Sequence, residues 1–375
     1  MDYSRTKKKV LTYYLRHIYF YLTEGCNLAC RHCWLSPKFD VNGSKYATLP
    51  VDLFKTIIHE AKPLGLSRIK LTGGEPLLHP QFLKLLKIVR HENLKLTIET
   101  NGVLCTPKIA TEIAKVKKRH VSVSIDGVDA STHEWVRGVR GCFKKALQAV
   151  HNLTNVNTPP QIIMSIMRCN ADQVDEMVRT AERLGASSVK FNIVQPTARG
   201  EVLHKTNNTL DISELIKLGK HVEMELAPTT KLKLIFSYPP AFRPLSSIAS
   251  TNGCNTCGIL RILGVIPSGH YALCGIGEHL QDLVFGKAGE DKLEEVWRKN
   301  PKLKELREGL PDKLNGVCKR CLMKHICLGS CVAQNYYNTG SFWAPFWFCD
   351  QAEKDGLFPL TRLSKVKTLS SNHIN

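Results

Sequence analysis

The chain has 375 residues, 43% hydrophobic and 23% charged, an ordinary composition for a soluble globular protein and long enough for one large and one small domain. No apolar run approaches the ~18–20 residues that span a bilayer. The net charge of +19, from 52 Lys+Arg against 33 Asp+Glu, bears on partners rather than fold. It points to an acidic peptide or protein substrate or an acidic electron donor. No nucleic-acid module is legible, which places nucleic acid last.

The N-terminal apolar stretch after Lys7, Lys8 and Lys9 is broken by Arg16 and His17 and lacks a small-residue cleavage site, so a cytoplasmic protein is expected. Fourteen cysteines in a reducing compartment favour metal ligation over disulfides.

Residues 17–23 read as a buried strand that delivers the chain into a loop carrying Cys26, Cys30 and Cys33, with Trp34 directly after. A cubane iron–sulfur cluster needs one outer ligand on each of four irons. Three thiols on one short loop leave an iron open for a small molecule, as a catalytic zinc keeps an open position. A partial zinc site or plain buried thiols are the simpler alternatives.

Residues 50–65 read as a helix with Leu53, Phe54, Ile57, Ile58 and Ala61 at helical spacing. A strand over 67–72 follows, ending in Gly73-Gly74-Glu75-Pro76, where paired glycines let a ligand approach backbone closely. The alternation continues with helices over 80–90, 108–117, 143–153 and 174–184. Strands are expected over 95–99 (ending at Asn101), 120–125 (ending at Asp126), 162–167 and 189–194. Six strands with helices between them predict a parallel sheet curved into a barrel, with functional residues at the strands' carboxyl ends. Ile212 to Leu226 reads as helical and Lys233 to Phe236 as extended.

The three-cysteine loop followed one β–α unit later by the GGEP tetrapeptide resembles the radical S-adenosylmethionine (SAM) enzymes. The resemblance implies a partial (β/α)6 TIM-like barrel. In that family a 4Fe–4S cluster on the loop cysteines binds SAM, and its reductive cleavage yields a 5′-deoxyadenosyl radical that abstracts a substrate hydrogen. It also implies cofactor contacts at Gly73, Gly74, Glu75, Pro76 and Asn101, and ribose contacts at Ser124 and Asp126. Arg137, in an RG…GF segment, would pair the cofactor's carboxylate, and Arg199 would approach adenine and substrate. A helix cap at Asp126, a surface ion pair at Arg137 and a turn at Arg199 are the structural alternatives.

Eight cysteines fill the C-terminal part: Cys254, Cys257, Cys274, Cys318, Cys321, Cys327, Cys331 and Cys349. Their spacing resembles the SPASM domain, a small cysteine-rich unit with a β-hairpin around Gly269. The resemblance implies two auxiliary clusters, one on Cys254, Cys257, Cys274 and Cys331 and one on Cys318, Cys321, Cys327 and Cys349. That makes three 4Fe–4S clusters in all. A zinc ribbon on Cys254, Cys257, Cys318 and Cys321 is the alternative. The expected division is barrel 1–230, linker 231–253, SPASM domain 254–355 and tail 356–375. Cys105, Cys142 and Cys169 are left over as buried thiols, with Cys142 in a segment near the cofactor and a candidate hydrogen donor.

SPASM-bearing relatives mostly modify peptides, so a maturase forming a thioether or carbon–carbon crosslink on a ribosomally made peptide is the first functional expectation. An epimerase, a small-molecule dehydrogenase, a haem-pathway decarboxylase and a multi-cluster electron-transfer protein are the alternatives. Gly275 stands where sulfatase-maturing relatives carry aspartate, which argues against that activity. Flavodoxin or ferredoxin is the expected electron donor. Only 25 residues precede Cys26, too few for a leader-binding domain, so a separate leader-binding protein or the basic surface would have to serve. Glu24, Glu75 and Glu99 lie near strand ends, but nothing in the sequence assigns a base.

Overall fold

The computed structural model describes residues 13–249 and 257–364. Cys254 lies outside them. Strands β1 (His17–Tyr21), β2 (Arg68–Thr72), β3 (Lys95–Thr100), β4 (Arg119–Ser124), β5 (Gln161–Ile166) and β6 (Ser188–Ile193) pair in parallel in chain order. Helices α1 (Val51–Ala61), α2 (Phe82–His91), α3 (Pro107–Ala114), α4 (Ala130–Arg137), α5 (Cys142–Thr154), α6 (Val174–Arg183) and α7 (Arg199–Lys205) lie in the connections and after β6. The architecture is the expected partial α/β barrel. Helices α4 and α7 fall in segments where sequence patterning showed no helix.

Each barrel strand alternates. Ile18 and Phe20, Ile69 and Leu71, Leu96 and Ile98, Val121 and Val123, Ile162 and Met164, and Val189 and Phe191 are all buried in one core with the helices. Phe20 of β1 and Phe54 of α1 meet with ring centroids 4.4 Å apart. The intervening residues turn to the barrel interior, because successive strand side chains point to opposite faces.

The sheet extends past the six strands. Residues 231–253, expected as a linker, contain β7 (Lys233–Phe236), which pairs in parallel with β6. At the other edge β8 (Ile262–Val265) pairs in parallel with β1, His17 opposite Ile262, and continues antiparallel into β9 (His270–Ala272) and β10 (Val284–Lys287). The cysteine-rich region is therefore built onto the barrel's own sheet, ten strands in all among the described residues. Trp297 fastens it from outside. Its indole donates to the Tyr13 carbonyl at 2.8 Å, and the Arg307 guanidinium stacks 3.9 Å from its ring. No helix among the described residues is long and apolar enough to cross a membrane.

Candidate active site

Cys26, Cys30 and Cys33 open onto a cleft at the carboxyl ends of the strands, with about 890 Å³ of empty volume. Gly73, Gly74, Glu75, Asn101, Ser124, Arg137 and Arg199 line the same cleft. Seven of the nine expected cofactor residues thus share one space with the three thiols. Pro76 and Asp126 do not line it.

The cluster loop is held from both sides. On the α4 side, Ala29 N donates to the Arg137 carbonyl (3.1 Å) and Arg31 N to the Val136 carbonyl (2.9 Å). Gly138 ends α4 at φ +73, and a Cβ there would stand 2.6 Å from the Ala29 oxygen. On the β2 side, Gly74 N donates to Thr23 O and Glu75 N to Gly25 O, both at 3.1 Å. A Cβ on Gly74 would stand 1.9 Å from the Gly25 oxygen. The glycine there is required by the loop's own backbone, whatever ligand also approaches it.

Glu75, 1% exposed, turns inward and joins strand ends. It accepts from Thr100 Oγ1 (2.6 Å), Asn101 N (2.8 Å) and Leu77 N (3.1 Å). Burial nevertheless pushes its carboxyl up to about 7. Pro76 begins the buried short helix that Glu75 caps, which takes it off the cleft wall. The Asn101 amide donates to Asn27 Oδ1 (2.7 Å) and faces the Cys26 sulfur (3.8 Å).

The two arginines of the cleft also hold the protein's own groups. Arg137 is buried and pairs with Asp126 inside the protein, Nε to Oδ2 at 2.6 Å, while its Nη1 lies 3.6 Å from Cys30 Sγ. Asp126 is its carboxylate partner among the described residues. Asp126 is fully buried, also accepts from Ser165 N at 2.7 Å, and its carboxylate is engaged inside the protein rather than lining the cleft. Arg199 donates to the Cys30 and Pro37 carbonyls (3.3 and 2.8 Å), clamping the loop from the start of α7. Burial is the largest influence on the Cys26 and Cys30 thiols and raises both. Arg137 opposes it at Cys30. Coordination to iron would deprotonate these thiols outright.

The C-terminal cysteines form two groups. Cys318, Cys321, Cys327 and Cys349 surround an apolar cavity with Pro239, Ala241, Leu314 and Phe358. Burial raises Cys318 to about 11 and Cys327 to about 12. Burial also raises Cys257 to about 12, with the nearby Cys331 thiol adding to it, and Cys331 acts on Cys274 in the same way. Cys257 therefore keeps company with Cys274 and Cys331, not with Cys318 and Cys321 as a zinc ribbon requires. Among the described residues no three His, Cys, Asp or Glu side chains converge as a single metal ion would need. Cys105 and Cys142 are buried, and Cys169 is exposed. Cys142 packs beneath the loop against Cys26, Leu28 and Cys30 and does not line the cleft.

The cleft continues down the barrel interior, where Thr72, Glu99, Ile163, Ser165 and Asn192 line it. One layer deeper stand Tyr19, Lys70, Ser122 and Lys190. Lys70 Nζ meets Glu99 Oε1 at 2.8 Å and lies 4.5 Å from the Tyr19 ring centroid. Burial raises the Tyr19 hydroxyl, Lys70 opposes it, and Cys257 and Cys274 are near enough to add to the rise. A packed TIM barrel fills this space with branched apolar side chains. These polar residues were missed by the sequence reading, yet the period-2 alternation of Arg68–Thr72 and Ser188–Ile193 carried the signal. A parallel strand buried on both faces reads as a continuous apolar run.

Residues 20–184 match the Radical SAM superfamily model, and residues 241–322 match the SPASM iron-sulfur cluster-binding domain model. The chain is 27% identical over 348 residues to the AdoMet-dependent heme synthase of Methanosarcina barkeri, covering 87% of this chain and 94% of that protein. It is 28% identical over 321 residues to the mycofactocin maturase MftC of Mycobacterium tuberculosis, covering 84% and 78%. In fold it is similar to Streptococcus suis SuiB bound to the precursor peptide SuiA, with a TM-score of 0.70 at 19% identity over 90% of this chain and 76% of that one. With both domains present in this order around one thiol-lined cleft, the chain is a radical SAM enzyme with a SPASM domain, a binder of 4Fe–4S clusters and S-adenosylmethionine.

Proposed function

We propose that the enzyme modifies a ribosomally made peptide by abstracting a hydrogen atom from a residue threaded into the barrel mouth, and that a crosslink is the product. The observation that carries this reading is the continuity of one space: the loop thiols, the Gly73-Gly74 edge and the interior-facing Thr72, Glu99, Ser165 and Asn192 line a single cleft. The maturase relative supports a peptide substrate.

On this reading Cys26, Cys30 and Cys33 hold the SAM-binding cluster. Cys257, Cys274 and Cys331, with Cys254, hold a second, and Cys318, Cys321, Cys327 and Cys349 a third. When bound there, the cluster and S-adenosylmethionine would supply the one-electron chemistry by which a hydrogen atom is taken from carbon. The protein's share is positioning. Arg137 and Asn101 place hydrogen-bond donors beside Cys30 and Cys26, which is how a protein tunes such a cluster. Gly73, Gly74, Ser124 and the loop clamp through Arg199 shape the cofactor's side of the cleft. The barrel interior keeps solvent from the reacting carbon. The positive charge serves an acidic donor such as flavodoxin or ferredoxin.

A tetrapyrrole substrate is the second reading, favoured by the heme synthase relative alone. Incubation with a uniformly deuterated candidate peptide, taken from any short open reading frame found beside the gene, separates the two. The expected result is deuterium in 5′-deoxyadenosine and a peptide that has lost, in mass spectrometry, one deuterium together with a second deuterium (carbon–carbon link) or an exchangeable thiol hydrogen (thioether). Deuterium transfer from a deuterated porphyrin precursor and none from any peptide would overturn the peptide reading.

A further inference from the structure

The barrel interior carries more positive than negative charge. Lys70 and Lys190 face inward, and Glu99 is the carboxylate acting on both. Glu99 is committed to Lys70 at 2.8 Å, and Lys70 is also covered by the Tyr19 ring. His17 and His120 complete the titratable lining, and burial holds both below the ordinary histidine range. Lys190 on β6 has no hydrogen-bond or ion-pair partner among the described residues. It is partly buried, and its register partner Ile163 and its neighbour two residues on, Asn192, both line the cleft. Its other charged neighbour, Arg243, is occupied with the Phe236 carbonyl (2.7 Å) and Glu223 (3.7 Å).

A lysine in such a place faces a desolvation cost that only Glu99, already bound to Lys70, offsets. An anion entering from the cleft would offset it. We propose that Lys190 is a specificity-determining residue that receives a substrate carboxylate in the barrel interior, with the Lys70–Glu99 pair setting how much negative charge that space accepts. The proposal rests on the cleft being the radical site and adds what the substrate must present there. The carboxylate is either a peptide's C-terminus or an acidic side chain, since both offer the same group to an ammonium.

The test uses the full-length enzyme, reconstituted without oxygen and saturated with SAM, so that the cofactor's own carboxylate is already placed. Calorimetric titration compares two acid–amide pairs. N-acetyl-alanyl-tyrosine against its amide reads a C-terminal carboxylate. N-acetyl-glutamyl-tyrosine amide against its glutaminyl counterpart reads a side chain. In one pair the acid is expected to bind about tenfold more tightly than the amide, the scale of one charge-assisted hydrogen bond. Lys190→Met removes that preference and Lys190→Arg retains it. Glu99→Gln strengthens it, which moves the signal the opposite way and guards against a variant that merely misfolds. Acids that bind no more tightly than amides in both pairs, or a preference that survives Lys190→Met, overturn the proposal. Deoxyadenosine formed when dithionite is added to the same wild-type sample reports separately. If it does not form, the radical-site reading fails, while the acid–amide comparison still decides what the interior binds.

Discussion

Asp126 shows how much of this site is internal bracing. Fully buried, it holds Arg137 at 2.6 Å, and Arg137 in turn reaches Cys30 and carries the carbonyl that receives Ala29 N. Removing one partner of a buried ion pair leaves an uncompensated charge, so Asp126→Asn should destabilise the apoprotein by roughly 3–5 kcal/mol. The double variant Asp126→Asn/Arg137→Leu should recover part of that loss in urea denaturation. Equal stability of wild type and Asp126→Asn would show that the pair holds nothing. Glu75 gives a second prediction. A carboxyl raised from 4.5 to about 7 binds its proton more tightly folded than unfolded. Its contribution is complete below 4.5 and is lost as the pH climbs through 7, a change of up to roughly 3 kcal/mol. The urea midpoint should therefore fall between pH 5 and 8, and Glu75→Gln should flatten that fall. A Glu75→Gln profile parallel to wild type would assign the titration elsewhere. At this scale the sequence located Glu75, Asp126, Arg137 and Arg199 at strand or helix ends but could not say which way they turn. That choice depends on partners 11 to 169 positions away, such as Asp126 for Arg137 and Cys30 for Arg199.

At the level of elements, the β2–loop junction leaves no space. With a Cβ on Gly74 falling 1.9 Å from a backbone oxygen, Gly74→Ala must displace either the loop or the strand end. The variant should fold, because the apolar faces of β1 and β2 are untouched, but lose the iron held by the Cys26 loop. Iron analysis with far-ultraviolet circular dichroism checks both halves, and a full iron load in Gly74→Ala would contradict the close packing. The six barrel strands were legible because each places β-branched or aliphatic residues at period 2 between helical stretches. Helix α7 was not, since Gln195-Pro196-Thr197-Ala198 reads as a turn and only seven residues follow before it ends. The pairing of β8 with β1 joins residues some 245 positions apart, and nothing local in Ile262–Val265 announces a partner.

Across the whole molecule, the shared sheet makes the C-terminal cysteines part of the barrel's wall. The Cys257 group sits against Tyr19, Tyr21 and Lys70, whereas the Cys318 group lies in its own apolar cavity. Cys274→Ser and Cys321→Ser should therefore each remove about four irons. Only the first should disturb substrate binding in the barrel, a difference read by the same acid–amide titration. The resemblance implied both sets, and among the described residues Cys318, Cys321, Cys327 and Cys349 share one cavity while Cys257 and Cys274 lie near Cys331. The spacing could not show that one of them faces the substrate space, because that follows from where β8 docks. The most direct test of the account is 5′-deoxyadenosine formation from S-adenosylmethionine and dithionite by anaerobically reconstituted enzyme, with iron counted on the same sample. The account predicts about twelve irons per chain and deoxyadenosine that disappears in Cys30→Ala. A full iron load without deoxyadenosine, or deoxyadenosine that persists in Cys30→Ala, would contradict it.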